Sequence, residues 1–282
     1  MFKKIIFVLM CATAASSCLR EVSNYDKKLF LDDVDAQGIK LFMLSHKVVE
    51  GEDGPELALT TENDPENMWN TRFTQEITEN TNYDDLVGHA FMDTSILKVV
   101  VAPGDTIDTR TGIWIYINKR GAKAEYAKDS ASVLVQYIGT FLNDKQFALS
   151  TGKTIQLVAG GADYGLMVGI KYLEPGRLEK TWVVPEPDED GNQADPYWKM
   201  EWVDSGQGWV IIPSQLGKGG VLSSDVPPNS VLVYNTFLQA IAYPITDGDK
   251  PETATHINTC KLETVWFDLS RLDKAIGPLP SL

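Results

Sequence analysis

The stretch WVIIPSQLGKGGVLSSDVPPNSVLVYNTFLQAI, residues 209–241, decides the fold class of this chain. It holds two β-branched apolar runs, Trp209–Ile212 and Ser230–Ile241, which are typical of buried β-strands. The residues between them are rich in glycine, proline and serine, so the first strand ends well before the second begins. Similar runs lie upstream, at Ile113–Ile117, Val133–Phe141 and Leu178–Val184.

One segment among these strands has a helical pattern: Tyr164–Leu173, which ends at Pro175–Gly176. The strands are short, and turn residues rather than long helices connect them, which favours antiparallel pairing. We therefore predict an α+β fold in which a curved antiparallel β-sheet wraps around one short helix.

Composition limits the classes of function that the chain can have. It has 282 residues, 43% of them hydrophobic, which suits one large domain or two modest ones with a true core. Its 39 acidic and 25 basic residues give a net charge of −14, so we expect no binding to nucleic acid. With three cysteines and three histidines, we expect neither a disulfide framework nor a zinc site.

The N-terminus has the plan of a secretory signal. Lys3 and Lys4 precede a short apolar run, and the small residues 14–17 lead into Cys18. The run is shorter than the ~20 residues of a membrane-spanning helix. Small residues before a cysteine resemble a bacterial lipobox, which predicts that residues 1–18 are a lipoprotein signal peptide and that Cys18 carries lipid. Ordinary cleavage nearby, which would give a soluble secreted protein, is the alternative.

We treat residues 19–110 as an N-terminal segment that is partly helical. Between Tyr25 and Val49 the apolar residues suit an amphipathic helix, and Gly38 makes one kinked helix or two short ones equally compatible with the pattern. Acids, glycines and prolines predict a loop over Glu50–Asn67, and Ile96–Val101 is strand-like. The apolar helix positions are Leu29, Phe30, Val34, Ile39, Leu41, Phe42, Leu44 and Val48.

Two further segments depart from the strand pattern. Residues 186–208 are acidic and turn-rich, and they predict a loop insertion with a small hairpin of its own. Asp188 and Asp190 alternate as in a calcium loop, but the glycine and glutamate of an EF-hand are missing, so a solvated loop is favoured. The tail, residues 244–282, has one apolar run, Leu262–Leu269, which suits a strand or an interdomain packing segment.

Residues 111–243 carry a series of motifs in a fixed order. Val135–Thr140 resembles a V-x-Y-x-G-x strand, and Phe147–Ser150 resembles F-D-x-S. Gly165–Gly169 is similar to a G-W-x-x-G helix, Ile212–Gly219 to I-P-x-x-L-x-Y-G, and Val226–Tyr234 to I-P-P-x-x-x-L-x-F. Together they resemble the FKBP family of peptidyl-prolyl cis-trans isomerases. The resemblance implies an FKBP-like domain over residues 111–243 that contains the 186–208 insertion.

The resemblance also implies an apolar pocket for a prolyl ring. Tyr137, Phe147, Val226 and Tyr234 fall on pocket positions of the family and keep aromatic or apolar character. Leu166 replaces a tryptophan at the floor of the pocket. Two polar positions also differ: Ala148 replaces an aspartate, and Lys218 replaces a hydrogen-bonding tyrosine, for which an ammonium is another donor.

These residues lead to three functional hypotheses. The first is a lipid-anchored FKBP-type prolyl isomerase (rotamase) of the bacterial cell envelope, facing the periplasm or outer membrane, which acts on proline-containing segments of secreted proteins. Its chemistry needs no metal and no cofactor, because isomerisation only rotates a peptide bond. The pocket departures motivate the second, a non-catalytic peptide- or protein-binding module on the same fold. The third is a structural subunit of the envelope.

Overall fold

The computed structural model describes residues 24–51, 54–75, 77–78, 81–95, 98–102, 105–108, 111–128, 131–157, 164–187, 193–217, 225–243, 259–262 and 265–268. In chain order, its elements are α1 (Asn24–Ser45), β1 (His46–Gly51), β2 (Gly54–Leu59), β3 (Ala90–Asp93), β4 (Lys98–Ala102), β5 (Asp105–Asp108), β6 (Ile113–Lys119), β7 (Ser132–Thr140), β8 (Gln146–Gln156), α2 (Tyr164–Ile170), β9 (Arg177–Val183), β10 (Tyr197–Val203), β11 (Gly206–Ile212), β12 (Leu232–Ala242), β13 (Thr259–Leu262) and β14 (Val265–Asp268).

The central element is a six-stranded antiparallel sheet in the order β3-β6-β11-β12-β7-β8. β6, β7, β11 and β12 each overlap one of the predicted β-rich runs. The edge strand β3 comes from the N-terminal segment, while the opposite edge strand β8 is largely polar. The predicted α+β class, with an antiparallel sheet around one short helix, is confirmed.

The inner face of the sheet packs against α2. Side chains of β11 that point inward, Val210 and Ile212, join Leu166 and Ile170 of the helix in one buried core. Gly165 and Gly169 allow the close approach: a Cβ at Gly165 would lie 2.5 Å from Ile212 Cγ2, and one at Gly169 would overlap the side chain of Val210. The two glycines are four residues apart and therefore share the helix face that meets the strand.

The outer face of the same sheet is covered by α1. Trp209 and Ile211, which alternate with the inward residues of β11, pack with Ile39, Phe42 and Met43 of the helix in a second buried cluster. Every residue of β11 is consequently buried, although strands of antiparallel sheets often expose one face to water.

The buried stripe of α1 differs from the predicted one. Phe30, Val34 and Leu41 are 68%, 47% and 65% exposed, so the expectation that these positions face the core is wrong. The helix also ends at Ser45, so Val48, predicted as helical, lies in β1. The residues that do face it are Asp32, Asp35, Ile39, Phe42 and Met43, because the sheet offers α1 polar groups at one end and apolar ones at the other. The helix is continuous through Gly38, which lies against Leu142.

Asp35 joins α1 to the turn that follows β11. Its Oδ2 accepts hydrogen bonds from the Ser214 main-chain N–H (2.8 Å) and from Ser214 Oγ (2.6 Å), and all of these groups are buried. Burial raises the pKa of Asp35 above its ordinary value, although the hydrogen bonds from Ser214 act in the opposite direction. Asp32 is joined to Thr111, just before β6: its Oδ1 accepts a hydrogen bond from the Thr111 main-chain N–H, and its main-chain carbonyl oxygen accepts one from Thr111 Oγ1, both at 3.3 Å.

Two hairpins flank the sheet. β1 and β2 lie partly in the region predicted as a loop, so that prediction is wrong for residues 50–51 and 54–59. Val48 and Leu57 face each other and pack on the outer cluster. β9 and β10 form the second hairpin, whose second strand lies in the 186–208 segment. The prediction that the insertion has a hairpin of its own is therefore wrong: β10 pairs with β9, which precedes the insertion. β4–β5 and β13–β14 are short two-stranded sheets at the predicted strand-like runs.

The linkage between Asp35 and stability gives a prediction. Because the pKa of Asp35 is raised in the folded chain, folding favours the protonated carboxyl, and this contribution is lost as the pH rises through the raised pKa. Asp35→Asn keeps an acceptor for Ser214 but does not titrate. We expect the free energy of unfolding of the wild type, relative to the variant, to fall between pH 4 and pH 7 in urea titrations. A relative stability that rises with pH would contradict this, and Asp33→Asn, at an exposed position, is the control.

The packing of α2 gives a second prediction. Gly169→Ala places a methyl group on Val210, and such overpacking costs up to about 3 kcal/mol. The better helix propensity of alanine returns about 1 kcal/mol, so we expect a net loss of about 2 kcal/mol in the free energy of unfolding. Gly152→Ala is the matched control, since its Cβ would meet nothing closer than 3.8 Å. Equal effects of the two substitutions would show that close packing at Gly169 is unimportant.

Candidate functional site

Three of the predicted pocket residues form an aromatic cluster. The ring centroid of Tyr234 lies 5.4 Å from that of Tyr137 and 5.6 Å from that of Phe147, and both pairs meet edge to face. Phe141 packs on Phe147 at 4.8 Å. These distances are typical of favourable aromatic pairs. We call Tyr137, Phe147 and Tyr234 the aromatic cluster.

Strand register explains why residues distant in sequence meet here. Gly139 of β7 is paired with Tyr234 of β12 on one side and with Ala148 of β8 on the other. A Cβ at Gly139 would lie 2.8 Å from Phe147 Cζ, so only glycine leaves room for that ring. The glycine of the V-x-Y-x-G-x motif therefore places the phenylalanine of the next motif beside Tyr234.

Leu166 and Val226 belong to the same apolar core as the cluster. Both are buried, as is Tyr234, whereas Tyr137 and Phe147 are half-buried at its edge. Five of the predicted pocket residues thus lie in one core on the inner side of the sheet. Lys218, the predicted donor, and Cys18, the predicted lipid site, lie outside the described residues.

The surroundings of the cluster are mainly apolar. Ala148, at the position where the family has an aspartate, is half-buried and contributes no charge. The ammonium group of Lys153 lies 5.9 Å from the ring centroid of Tyr137. The cluster therefore offers an apolar surface on which two aromatic rings are half-exposed.

Sequence reasoning did not find the contact of Asp35 with Ser214. Ser214 follows Ile212–Pro213, the first two residues of the motif that resembles I-P-x-x-L-x-Y-G, so α1 holds the start of a segment that borders the pocket in the family. A signal was present: Asp32 and Asp35 are three residues apart, as are residues on one helix face. The pattern was not interpreted as a buried face, because aspartate side chains are usually exposed to solvent.

Other polar clusters lie away from the aromatic cluster. Tyr172 donates a hydrogen bond to Asp93 (2.8 Å), and burial raises the pKa of this tyrosine. Arg120 bonds the buried carboxylate of Glu174 and the hydroxyl of Tyr126, whose pKa burial raises to about 12. Among the residues that the structure describes, no group of three or more metal-ligating side chains comes together.

The strand order, the short helix on the inner face and the ordered motifs define the class: this chain contains an FKBP-like domain. Comparison with curated proteins agrees. The FKBP-type peptidyl-prolyl cis-trans isomerase FkpA of Buchnera aphidicola subsp. Schizaphis graminum is 26% identical over 129 residues, which is 45% of this chain. The match spans 40% of that relative, less than half its length. No protein-family model matches the chain.

Solved structures with which the chain aligns include three of the same kind. FkpA from Escherichia coli has a TM-score of 0.33 and 24% identity, covering 46% of this chain and 48% of its own. A peptidyl-prolyl cis-trans isomerase from Pseudomonas syringae pv. tomato has a TM-score of 0.32 and 17% identity; the alignment covers 46% of this chain and 75% of that structure's chain. The N-terminal domain of FKBP42 from Arabidopsis thaliana has a TM-score of 0.33 and 13% identity; the alignment covers 46% of this chain and 85% of that structure's chain.

Proposed function

We propose that this protein is a peptidyl-prolyl cis-trans isomerase of the FKBP type, which acts on proline-containing segments of secreted or envelope proteins. The observation that supports the proposal is the convergence of Tyr137, Phe147 and Tyr234, in the core that also contains Leu166, on the inner side of the sheet. The chemistry follows from the peptide bond itself. Rotation costs about 18–20 kcal/mol because resonance stabilises the planar form, and a dry apolar site disfavours that polar form relative to the twisted one.

In this mechanism the proline ring lies among the aromatic side chains and the preceding carbonyl turns. Tyr137 and Phe147 are half-exposed and first meet the substrate, whereas Tyr234 and Leu166 form the buried side of the site. Lys218 is the proposed donor to a substrate carbonyl. Leucine in place of the family's tryptophan leaves a smaller apolar floor, which predicts weaker activity than the family norm.

The assay is protease-coupled isomerisation of a proline-containing tetrapeptide with the full chain. We expect catalysis above the spontaneous rate, and a loss of about tenfold or more in kcat/KM for Phe147→Ala, because removal of the ring admits water to the site. Ile138→Ala is the matched control, since Ile138 follows Tyr137 on β7 and points to the opposite face.

Two results would contradict the proposal. A wild-type rate equal to the spontaneous one, in protein whose circular dichroism shows a folded state, would remove the isomerase function. Equal losses in Phe147→Ala and Ile138→Ala would remove the aromatic cluster as its site.

The pocket departures favour a second candidate, a peptide-binding module without turnover. Ala148 removes the family's ordering carboxylate and Leu166 reduces the floor, yet the aromatic cluster stays intact. Binding of the same tetrapeptide, measured by fluorescence polarisation in the absence of catalysis, would support this candidate.

We also propose that the chain is a lipoprotein of the bacterial envelope, anchored through Cys18. The signal-like N-terminus and the cysteine that follows small residues support this, and acylation would give membrane affinity to a protein with a net charge of −14. No helix in the described ranges is long and apolar enough to cross a bilayer.

Mass spectrometry of the mature chain from a bacterial host tests the anchor. We expect the N-terminal residue to be Cys18 bearing acyl groups, and Cys18→Ser to release the protein from the membrane fraction. An unmodified N-terminus at another residue would contradict the anchor without affecting the isomerase assay.

A further inference from the structure

The outer face of the sheet holds a cavity of about 670 Å³ on the side opposite the aromatic cluster. Its floor is made by β7, β8, β11 and β12, and one wall is the β9–β10 hairpin. None of the predicted pocket residues lines it. The volume lies in the range of small-molecule sites, roughly 300–1,000 Å³. The side chains that define its chemistry are Gln136, Gln207, Gln239, Thr151, Trp202 and Phe237.

Gln239 is the most informative of these residues. Its exposed fraction is 6%, it lines the cavity, and its Oε1 lies 3.8 Å from the position a Cβ would take on Gly152. Among the residues that the structure describes, none offers a hydrogen-bond partner to this side-chain amide. A buried amide without a partner is costly and uncommon, so its presence at a cavity points to a ligand that completes it.

The sheet is built irregularly at this cavity. Pairing shifts register between Leu238 and Ala240, so that Gln239 is the extra residue of a bulge on β12. A second shift lies opposite Gln136, where β8 has the extra residue, and a third lies opposite Gln207, where Asn118 of β6 is the extra residue. β-bulges redirect side chains and are frequent next to functional sites. Here the bulge on β12 turns Gln239 toward the cavity, while strand alternation places Gln136 and Gln207 on the same face.

Gln207 has a supporting role. Its Nε2 donates to the carbonyl oxygen of Pro55 (3.3 Å) and to Asn235 Oδ1 (3.1 Å), and its Oε1 accepts from Asn118 Nδ2 (3.4 Å). The side chain is therefore held in one orientation and ties the β1–β2 hairpin to the rim. Gln239, by contrast, keeps both the donor and the acceptor of its amide for a bound molecule.

The wall of the cavity continues into an aromatic surface. Trp202 and Met200 line the cavity, and the alternation of a β-strand places Trp198 on the same side of the hairpin. Trp198 pairs with Trp182 across the hairpin at 5.0 Å, and the two are 53% and 50% exposed. The ammonium group of Lys180 lies over the Trp198 ring, 4.3 Å from its centroid. The exposed indole surface that remains next to the polar cavity offers an apolar face to a ligand that is polar at its edges.

Charge and hydrogen-bonding capacity select the class of ligand. The lining holds one lysine and one glutamate, and Lys119 is paired with Asp204 (3.2 Å), so the site suits a neutral molecule. A proline-rich peptide offers mostly acceptors, because proline lacks an N–H, and would leave the Gln239 carbonyl unmatched. A sugar hydroxyl both donates and accepts, and the C–H face of a sugar ring suits stacking on tryptophan.

We propose that this cavity is a binding site for a neutral saccharide, with Gln239 as its central hydrogen-bonding residue and the Trp198–Trp202 side of the hairpin as its stacking surface. The site is independent of prolyl isomerisation, since it lies on the other face of the sheet. It would place the aromatic cluster near glycan-bearing surfaces or glycosylated chains.

Isothermal titration calorimetry and tryptophan fluorescence of the full chain test the proposal, with maltopentaose, cellopentaose, mannopentaose and chitopentaose as probes. We expect at least one to bind with a Kd below about 1 mM and to change the tryptophan emission. Gln239→Leu should weaken that binding at least tenfold, with an unchanged or higher Tm, because leucine has no amide to leave unbonded. Gln156→Leu, on the exposed side of β8, is the matched control and should bind as the wild type does.

Three results would overturn the proposal. They are the absence of binding to all four oligosaccharides, binding that Gln239→Leu leaves intact, and tighter binding of a neutral proline-rich peptide that Gln239→Leu abolishes. The tetrapeptide isomerisation rate of Gln239→Leu should equal that of the wild type, so failure here is distinguishable from failure of the isomerase function.

Discussion

Strand β11 is buried on both faces, and the placement of the other elements depends on this double burial. Val210 and Ile212 meet α2 on the inner face, while Trp209 and Ile211 meet α1 on the outer face. Burying large apolar side chains on both sides of one strand is the main source of stability available to a sheet of this size. The strand continues into Ser214, where the Asp35 carboxylate fixes the exit of the chain.

The same sheet presents different chemistry on its two faces. On the inner face, Tyr234 joins Tyr137 and Phe147 in an apolar, aromatic site. On the outer face, Phe237 and Gln239 of the same strand line a polar cavity. Because alternate residues of a strand point to opposite sides, β12 presents an aromatic side chain to one face and polar ones to the other. The extra residue at Gln239 shifts the alternation of β12 by one position, so that Ile241, like Leu238, packs in the inner core.

Local patterns predicted the parts of the fold that depend on neighbours in sequence. Trp209–Ile212 and Ser230–Ile241 form strands, and Tyr164–Leu173 contains the helix, because apolar runs and flanking turn residues act over a few positions. Residues 50–51 and 54–59, predicted as loop, are strand residues, since Val48 and Leu57 gain their packing partners from the distant outer cluster. The predicted buried face of α1 was wrong at Phe30 and Leu41 for a related reason. The face that is buried carries two aspartates, whose partners Ser214 and Thr111 are far away in sequence.

The sequence by itself determined the fold class and the strands and helix that carry five predicted residues into one core, because strand periodicity and glycine-proline punctuation are local properties. The resemblance to the FKBP family depended on the order of the motifs along the chain, since each motif alone is weak evidence for a family. Only the tertiary structure decided that α1 covers the back of the sheet, that Asp35 bonds Ser214, and that three glutamines meet at one cavity. Those contacts depend on strand register and on bulges, and a shift of one residue reverses the face that a side chain occupies.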